Sequence, residues 1–191
     1  MHRKLGFTLI EILVVVTIIS ILAAVLYASF GEARQDSQNK ALFTEIKETQ
    51  LALELYKAQF GQYPAAQDIG VGGCSDNSGG IESAGSVDCV GNDYIVGLTP
   101  EFLPELPDHT VSDNPNCEFV YQVDDTEFDR YKLTAVSCYA GADTVADGVQ
   151  WTNELARCPT TCGTCTSGTI ASTSPAFYES FAVYSAGAEC I

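Results

Sequence analysis

Two sets of residues in this chain have types and spacings that could do chemistry. The first is a lone glutamate, Glu11, inside the apolar stretch "KLGFTLIEILVVV" from Lys4 to Val16. A single acid at membrane depth costs roughly 2.5–3.5 kcal/mol on insertion scales, so it calls for a partner. The second is a set of eight cysteines: Cys74, Cys89, Cys117, Cys138, Cys158, Cys162, Cys165 and Cys190. An even number, all in one part of an exported chain, reads as disulfides formed outside the cytoplasm. Buried thiols or a metal site would need a cytosolic location, which the N-terminus argues against. "CPTTCGTC" places Cys158, Cys162 and Cys165 at spacings that can ligate zinc, but three thiols without a nearby histidine make an incomplete site.

Other chemistry has little support. The glycine-rich "GVGGCSDNSGG" lacks the Lys-Ser/Thr ending and the strand–helix context of a phosphate loop. There is no G-x-S-x-G and no zinc-enzyme signature, so the chain is expected not to be an enzyme. Asp124, Asp125, Glu127 and Asp129 crowd one turn, without the central glycine or closing acid of an EF-hand loop. A solvated turn is expected there and no cofactor, with calcium as the alternative.

The elements that must position these residues begin with an anchor. From Ile12 to Phe30 run 19 residues without charge, interrupted only by Thr17, Ser20, Tyr27 and Ser29. That is close to the roughly 20 residues that cross a bilayer as a helix. A cleaved secretory signal has a shorter apolar core and small residues at its cleavage site, where this chain has Leu22 and Leu26. Arg3 and Lys4 stay cytoplasmic by the positive-inside rule, which leaves everything after Phe30 outside. Cysteines and anchor thus agree on the compartment. The 191-residue chain has a net charge of −16, from 25 acids and nine bases, and a surface that acidic repels nucleic acid.

Gly6-Phe7-Thr8-Leu9-Ile10-Glu11, after a short basic leader and before an apolar helix, resembles the type IV prepilin signal. The resemblance implies that a prepilin peptidase cuts between Gly6 and Phe7 and methylates the new N-terminus at Phe7. It also implies that Glu11 neutralises the amine of a neighbouring subunit and so builds a helical homo-oligomeric filament. Loss of Arg3 and Lys4 would leave seven bases and a net charge of −18. The segment "LALELYKAQFGQYP" resembles the end of the long helix in type IV pilins and in the major pseudopilin of type II secretion. Those families often carry a proline inside the apolar helix, which is absent here. Major pseudopilins, known for a calcium site in their C-terminal region, are usually compact and poor in cysteine. The expected role is therefore that of a pilin in an extracellular type IV pilus. A major pseudopilin, a minor pilin and a monomeric anchored protein are the alternatives. The implied path runs from an inner-membrane precursor to a pilus (fimbrium) or a periplasmic pseudopilus, alongside other subunits of the pilus or secretion machinery.

The expected fold is α+β: a long N-terminal helix on a C-terminal antiparallel sheet domain with disulfide-braced loops. The expected divisions are a leader at 1–6, a transmembrane helix at 7–30, its amphipathic continuation at 31–60 and a cysteine-rich domain at 61–191. No proline occurs before Pro64, so one helix of roughly 80 Å is expected from Phe7 to Phe60. Leu42, Ile46, Thr49, Leu53, Tyr56 and Phe60 form one stripe, which Leu51 and Leu55 are expected to widen. Gly61 and Pro64 should end the helix. Residues 65 to 93 read as loop, closed by Cys74–Cys89 with a gain of roughly 3 kcal/mol. "DYIV" reads as a short strand, and "CEFVYQV" with "RYKLTAVSCY" as a hairpin. Cys117 and Cys138 invite a cross-strand disulfide there. Pairing the apolar residues needs a register one residue off, which puts the two cysteines on opposite faces unless a bulge or irregular turn intervenes. A last strand is expected in "FYESFAVYSA", with Cys190 tied to one of Cys158, Cys162 and Cys165.

Overall fold

In the computed structural model the described residues are 8–67, 75–77, 81–87, 89, 93–108, 114–141, 155–159, 162 and 179–191; for 28, 29, 32, 75–77 and 81 the description is of backbone alone. The elements are α1 (Leu9–Phe60), β1 (Ser75–Asn77), β2 (Ile81–Gly85), β3 (Glu118–Asp124), β4 (Tyr131–Val136) and β5 (Phe181–Tyr184). The strands form one antiparallel sheet in the order β1-β2-β3-β4-β5. The chain divides into two compact units, Met1–Ser37 and Gln38–Ile191, and the fold class is α+β as the patterning implies.

In the second unit, the helical stripe and the sheet share one core. Leu42, Ile46, Thr49 and Leu53 are fully buried, and the three apolar ones cluster with Phe119, Tyr121, Tyr131, Leu133 and Phe181. Leu51 and Leu55 do not widen the stripe: they are 62% and 50% exposed. Each lies two positions from Leu53, about 200° around the helix, so no single buried face holds all three. Asn39 is buried because its side-chain amide donates to the Ala140 carbonyl at 2.8 Å and its oxygen accepts from the Ala140 N–H at 2.9 Å. The helix stops at Gly61, whose φ of 82° and 2.8 Å bond from its N–H to the Lys57 carbonyl make a left-handed cap.

The hairpin settles the register conflict. Phe119, Tyr121 and Val123 pair with Ala135, Leu133 and Tyr131, as the apolar pattern requires. Continued, that ladder would set Cys117 opposite Ser137, yet Cys117 and Cys138 are disulfide-bonded. The irregularity sits just past β4, where Ser137 adopts φ 52° and donates its N–H to the Ser180 hydroxyl at 2.8 Å. A left-handed residue at that point turns the chain and delivers Cys138 to Cys117.

Two local expectations fail. Residues 65 to 93 are not all loop, because β1 and β2 lie within them and β2 pairs along β3. Small and polar residues such as Ser83, Ala84 and Gly85 carry little strand propensity. They are recruited by the backbone edge that β3 presents. "DYIV" makes no strand: Ile95 forms only an isolated bridge to Ala66, and turns follow. β4 is buried along Tyr131–Ala135, including Lys132 and Thr134 on the face away from the helix. Leu155 reaches β5 by accepting the Ala182 N–H at 2.9 Å, and the chain end reaches Lys132.

Candidate functional site

In the first unit, Leu9–Tyr27 is a 19-residue helical stretch long and apolar enough to cross a membrane, with none of it buried. Leu9, Ile12, Val16, Ile19 and Leu22 are all more than half exposed. The polar interruptions are compatible with lipid. The Thr17 hydroxyl donates to the Val14 carbonyl and the Ser20 hydroxyl to the Val16 carbonyl, each at 2.7 Å. Tyr27 ends the stretch 86% exposed, where an amphipathic ring suits a membrane–water interface.

Gly6 and Phe7, the expected cleavage and methylation positions, lie outside the described residues. Glu11 lies in the first turn of α1. Its Oε2 accepts the Thr8 N–H at 2.8 Å and the Thr8 hydroxyl at 2.6 Å, while the Glu11 N–H reaches back to Thr8 Oγ1 at 3.4 Å. This is a capping box: Thr8 caps the helix, and Glu11, three residues on, returns to satisfy the cap's own amide. Glu11 thus has a partner in its own chain besides any amine. The signal was present in the sequence as Thr-x-x-Glu ahead of an apolar run, but Thr8 was not singled out there.

Of the cysteines, Cys117 joins Cys138 and Cys162 joins Cys190. Cys89 and Cys158 are also disulfide-bonded. Cys74 and Cys165 lie outside the described residues, and with them the expected Cys74–Cys89 bridge. The Cys162–Cys190 bond ties the C-terminal segment to the stretch that carries the cysteine triplet.

The acidic turn is organised from within. Asp124 Oδ1 accepts the N–H groups of Thr126 and Glu127 at 3.1 and 3.0 Å, and its Oδ2 meets Arg130 at 2.7 Å. The Glu127 N–H is the largest influence holding this carboxyl below its ordinary range, with Thr126 and Arg130 adding to it. Arg130 also binds Asp129 at 3.1 Å, and Lys57 donates to the Asp129 carbonyl at 3.0 Å. Among the described residues no group of three or more His, Cys, Asp or Glu side chains is placed to hold a metal ion.

Residues 1–27 match the prokaryotic N-terminal methylation motif. The chain is 29% identical over 66 residues to the type II secretion system core protein G of Pectobacterium carotovorum subsp. carotovorum, covering 35% of this chain and 42% of that protein. It is 28% identical over 67 residues to the protein of the same name from Klebsiella pneumoniae, covering 35% and 48%. It therefore spans less than half the length of these curated relatives. No solved structure matches it. The N-terminal match and these partial likenesses make the chain similar to pilins and pseudopilins, through a methylation motif that includes its capped apolar helix.

Proposed function

We propose that this chain is a structural subunit of an extracellular type IV pilus, processed by prepilin peptidase between Gly6 and Phe7 and assembled through its N-terminal helix. The observation that carries this is the exposed apolar stretch Leu9–Tyr27, which lies within the methylation motif. Such a surface must be covered by lipid in the precursor and by other copies once extracted. Glu11 then pairs with the methylated Phe7 amine of a neighbouring subunit while Thr8 holds its carboxylate in place. The disulfide-braced domain suits an exposed filament, since its bonds persist outside the reducing cytoplasm.

A second function, pseudopilin of a type II secretion system, is favoured by the relatives named above. One experiment separates the two: N-terminal mass analysis and electron microscopy of sheared surface material, beside a secretion assay on a deletion strain. Mature chains starting at N-methylated Phe7 in surface filaments support the pilus. Lost secretion without surface filaments supports the pseudopilus. Uncleaved chain that stays monomeric refutes both.

A further inference from the structure

At the end of β4 the backbone departs from its own ladder. The last pair in register is Glu118 with Val136, so the next would be Cys117 with Ser137. Cys138 takes that place instead, with its Cα 4.3 Å from that of Cys117, the spacing of directly opposed residues. Ser137 is therefore an extra residue, a bulge, and it stands at φ 52°. A residue with a Cβ seldom holds that left-handed conformation unless its surroundings impose it. Here the disulfide pulls on its neighbour, and the Ser180 hydroxyl accepts its N–H at 2.8 Å.

The bulge decides where the next two residues land. Tyr139 donates its N–H to the Glu179 carbonyl at 2.9 Å, and its ring meets that of Phe43 edge-on, with centroids 6.4 Å apart. Ala140 exchanges two hydrogen bonds with the Asn39 side chain, at 2.8 and 2.9 Å. Asn39 and Phe43 lie one turn apart on α1, at the start of the second unit, which begins at Gln38. Phe43 also packs on Phe181 at 4.6 Å, so the Asn39 turn is the part of α1 that leans most on residues 139 and 140. The core stripe beyond it, Leu42, Ile46 and Leu53, is buried in the main cluster.

We infer that Cys117–Cys138 is a redox latch: bonded, it holds the Ser137 bulge and so fastens the Asn39 turn of α1 to Ala140; opened, it lets the ladder run on in register and releases that turn. Removing the bulge shifts every later residue by one place. Side chains then change faces, and the Ala140 N–H and carbonyl leave Asn39. Opening is thiol–disulfide exchange. A dithiol reductant supplies two electrons and two protons, Cys117 and Cys138 become thiols, and the reductant becomes a disulfide. Closing runs in reverse, with a protein disulfide outside the cytoplasm as oxidant. On the reading that the domain is exported, fastening of this turn is a step of its oxidative maturation, whichever filament the chain builds.

The test is nuclear magnetic resonance of the full chain in detergent micelles. In C117S/C138S, whose other cysteines are untouched, the Ser137 backbone shifts should move from left-handed to extended values. A cross-strand contact between residues 117 and 137 should appear, and the Asn39–Ala140 contact should weaken roughly tenfold, while the β3–β4 ladder contacts persist. Wild type treated with dithiothreitol until this bond opens should change in the same way and recover on reoxidation. With the bond intact, Ser137→Gly should keep the Asn39–Ala140 contact, because glycine takes a positive φ freely, and Ser137→Val should weaken it. A folded C117S/C138S that keeps Ser137 left-handed and Asn39 on Ala140 overturns the latch, and so does an unchanged contact in Ser137→Val. Loss of the β3–β4 contacts together with that of Asn39 also overturns it, since the bond then braces the whole sheet.

Discussion

Lys132 should give the folded domain an unusual alkaline stability profile. Its ammonium is fully buried and donates to the main-chain oxygens of Glu189 and Ile191 at 3.1 and 2.7 Å. Burial first and the nearby Arg157 second push it down to about 8 from an ordinary 10.5, with Glu189 opposing them. Between those values the unfolded chain holds more protons than the folded one, so stability rises with pH through that window. Below about pH 8 both states are protonated and the burial cost stands in full, roughly 3 kcal/mol at 1.36 kcal/mol per pH unit. Raising the pH from 7 to 9 should recover about 1 kcal/mol of it. Beyond about pH 10 the direction reverses, because burial holds the phenols of Tyr63, Tyr94, Tyr121 and Tyr131 above their ordinary range and favours ionisation in the unfolded chain. Lys132→Met removes the rise and keeps the fall. Guanidinium unfolding of the full chain in detergent, disulfides intact and followed by near-ultraviolet circular dichroism, measures both proteins from pH 7 to 10.5. A wild-type curve that is flat or falling from pH 7 to 9, or an equal rise in Lys132→Met, would refute the argument.

Glu11→Gln keeps an acceptor for the Thr8 amide but loses the charge, whereas Glu11→Ala loses both. If the inter-subunit ion pair drives assembly, both variants insert and are cleaved yet fail to form sedimentable filaments; normal filaments from Glu11→Gln would assign the residue to capping alone. Removing the Cys117–Cys138 bond by C117S/C138S should cost about 3 kcal/mol in the chain-entropy model for its separation of 21 residues, read as a lower denaturation midpoint. Glu45 is half-buried, with Oε2 lacking a hydrogen-bond partner, and burial followed by Glu48, Glu105 and Asp108 raises its carboxyl above the ordinary value. Its ionised form is therefore costly, and the cost fades as pH falls. Glu45→Gln should stabilise the domain at pH 7 by less than about 1 kcal/mol, with the gain vanishing towards pH 4 in thermal melts.

Much of this protein was legible in one dimension, because its strongest signals are local. An uncharged run longer than a secretory core, behind Arg3 and Lys4, marks an anchor by length and charge alone. The helix end at Gly61 follows from backbone chemistry that acts within four residues. The Leu42–Ile46–Leu53 stripe and the β3–β4 ladder follow from periodicity, which a helix and a strand each impose on any sequence that folds against a core.

What the sequence could not decide depends on partners far along the chain. Strands β1 and β2 exist because β3 offers a hydrogen-bonding edge, not because serine and glycine prefer to be extended. The clash between apolar register and cysteine spacing was readable, but its resolution rests on a left-handed Ser137 held by Ser180, 43 residues away. Lys132 reads as an ordinary solvent-facing lysine in an alternating strand. It is buried because the chain end folds over that face of the sheet, a contact spanning 59 residues. Glu11 shows the division within a single residue. Its cost in lipid and its Thr8 cap are local, while the structure adds that the apolar helix around it is left uncovered by the rest of the chain.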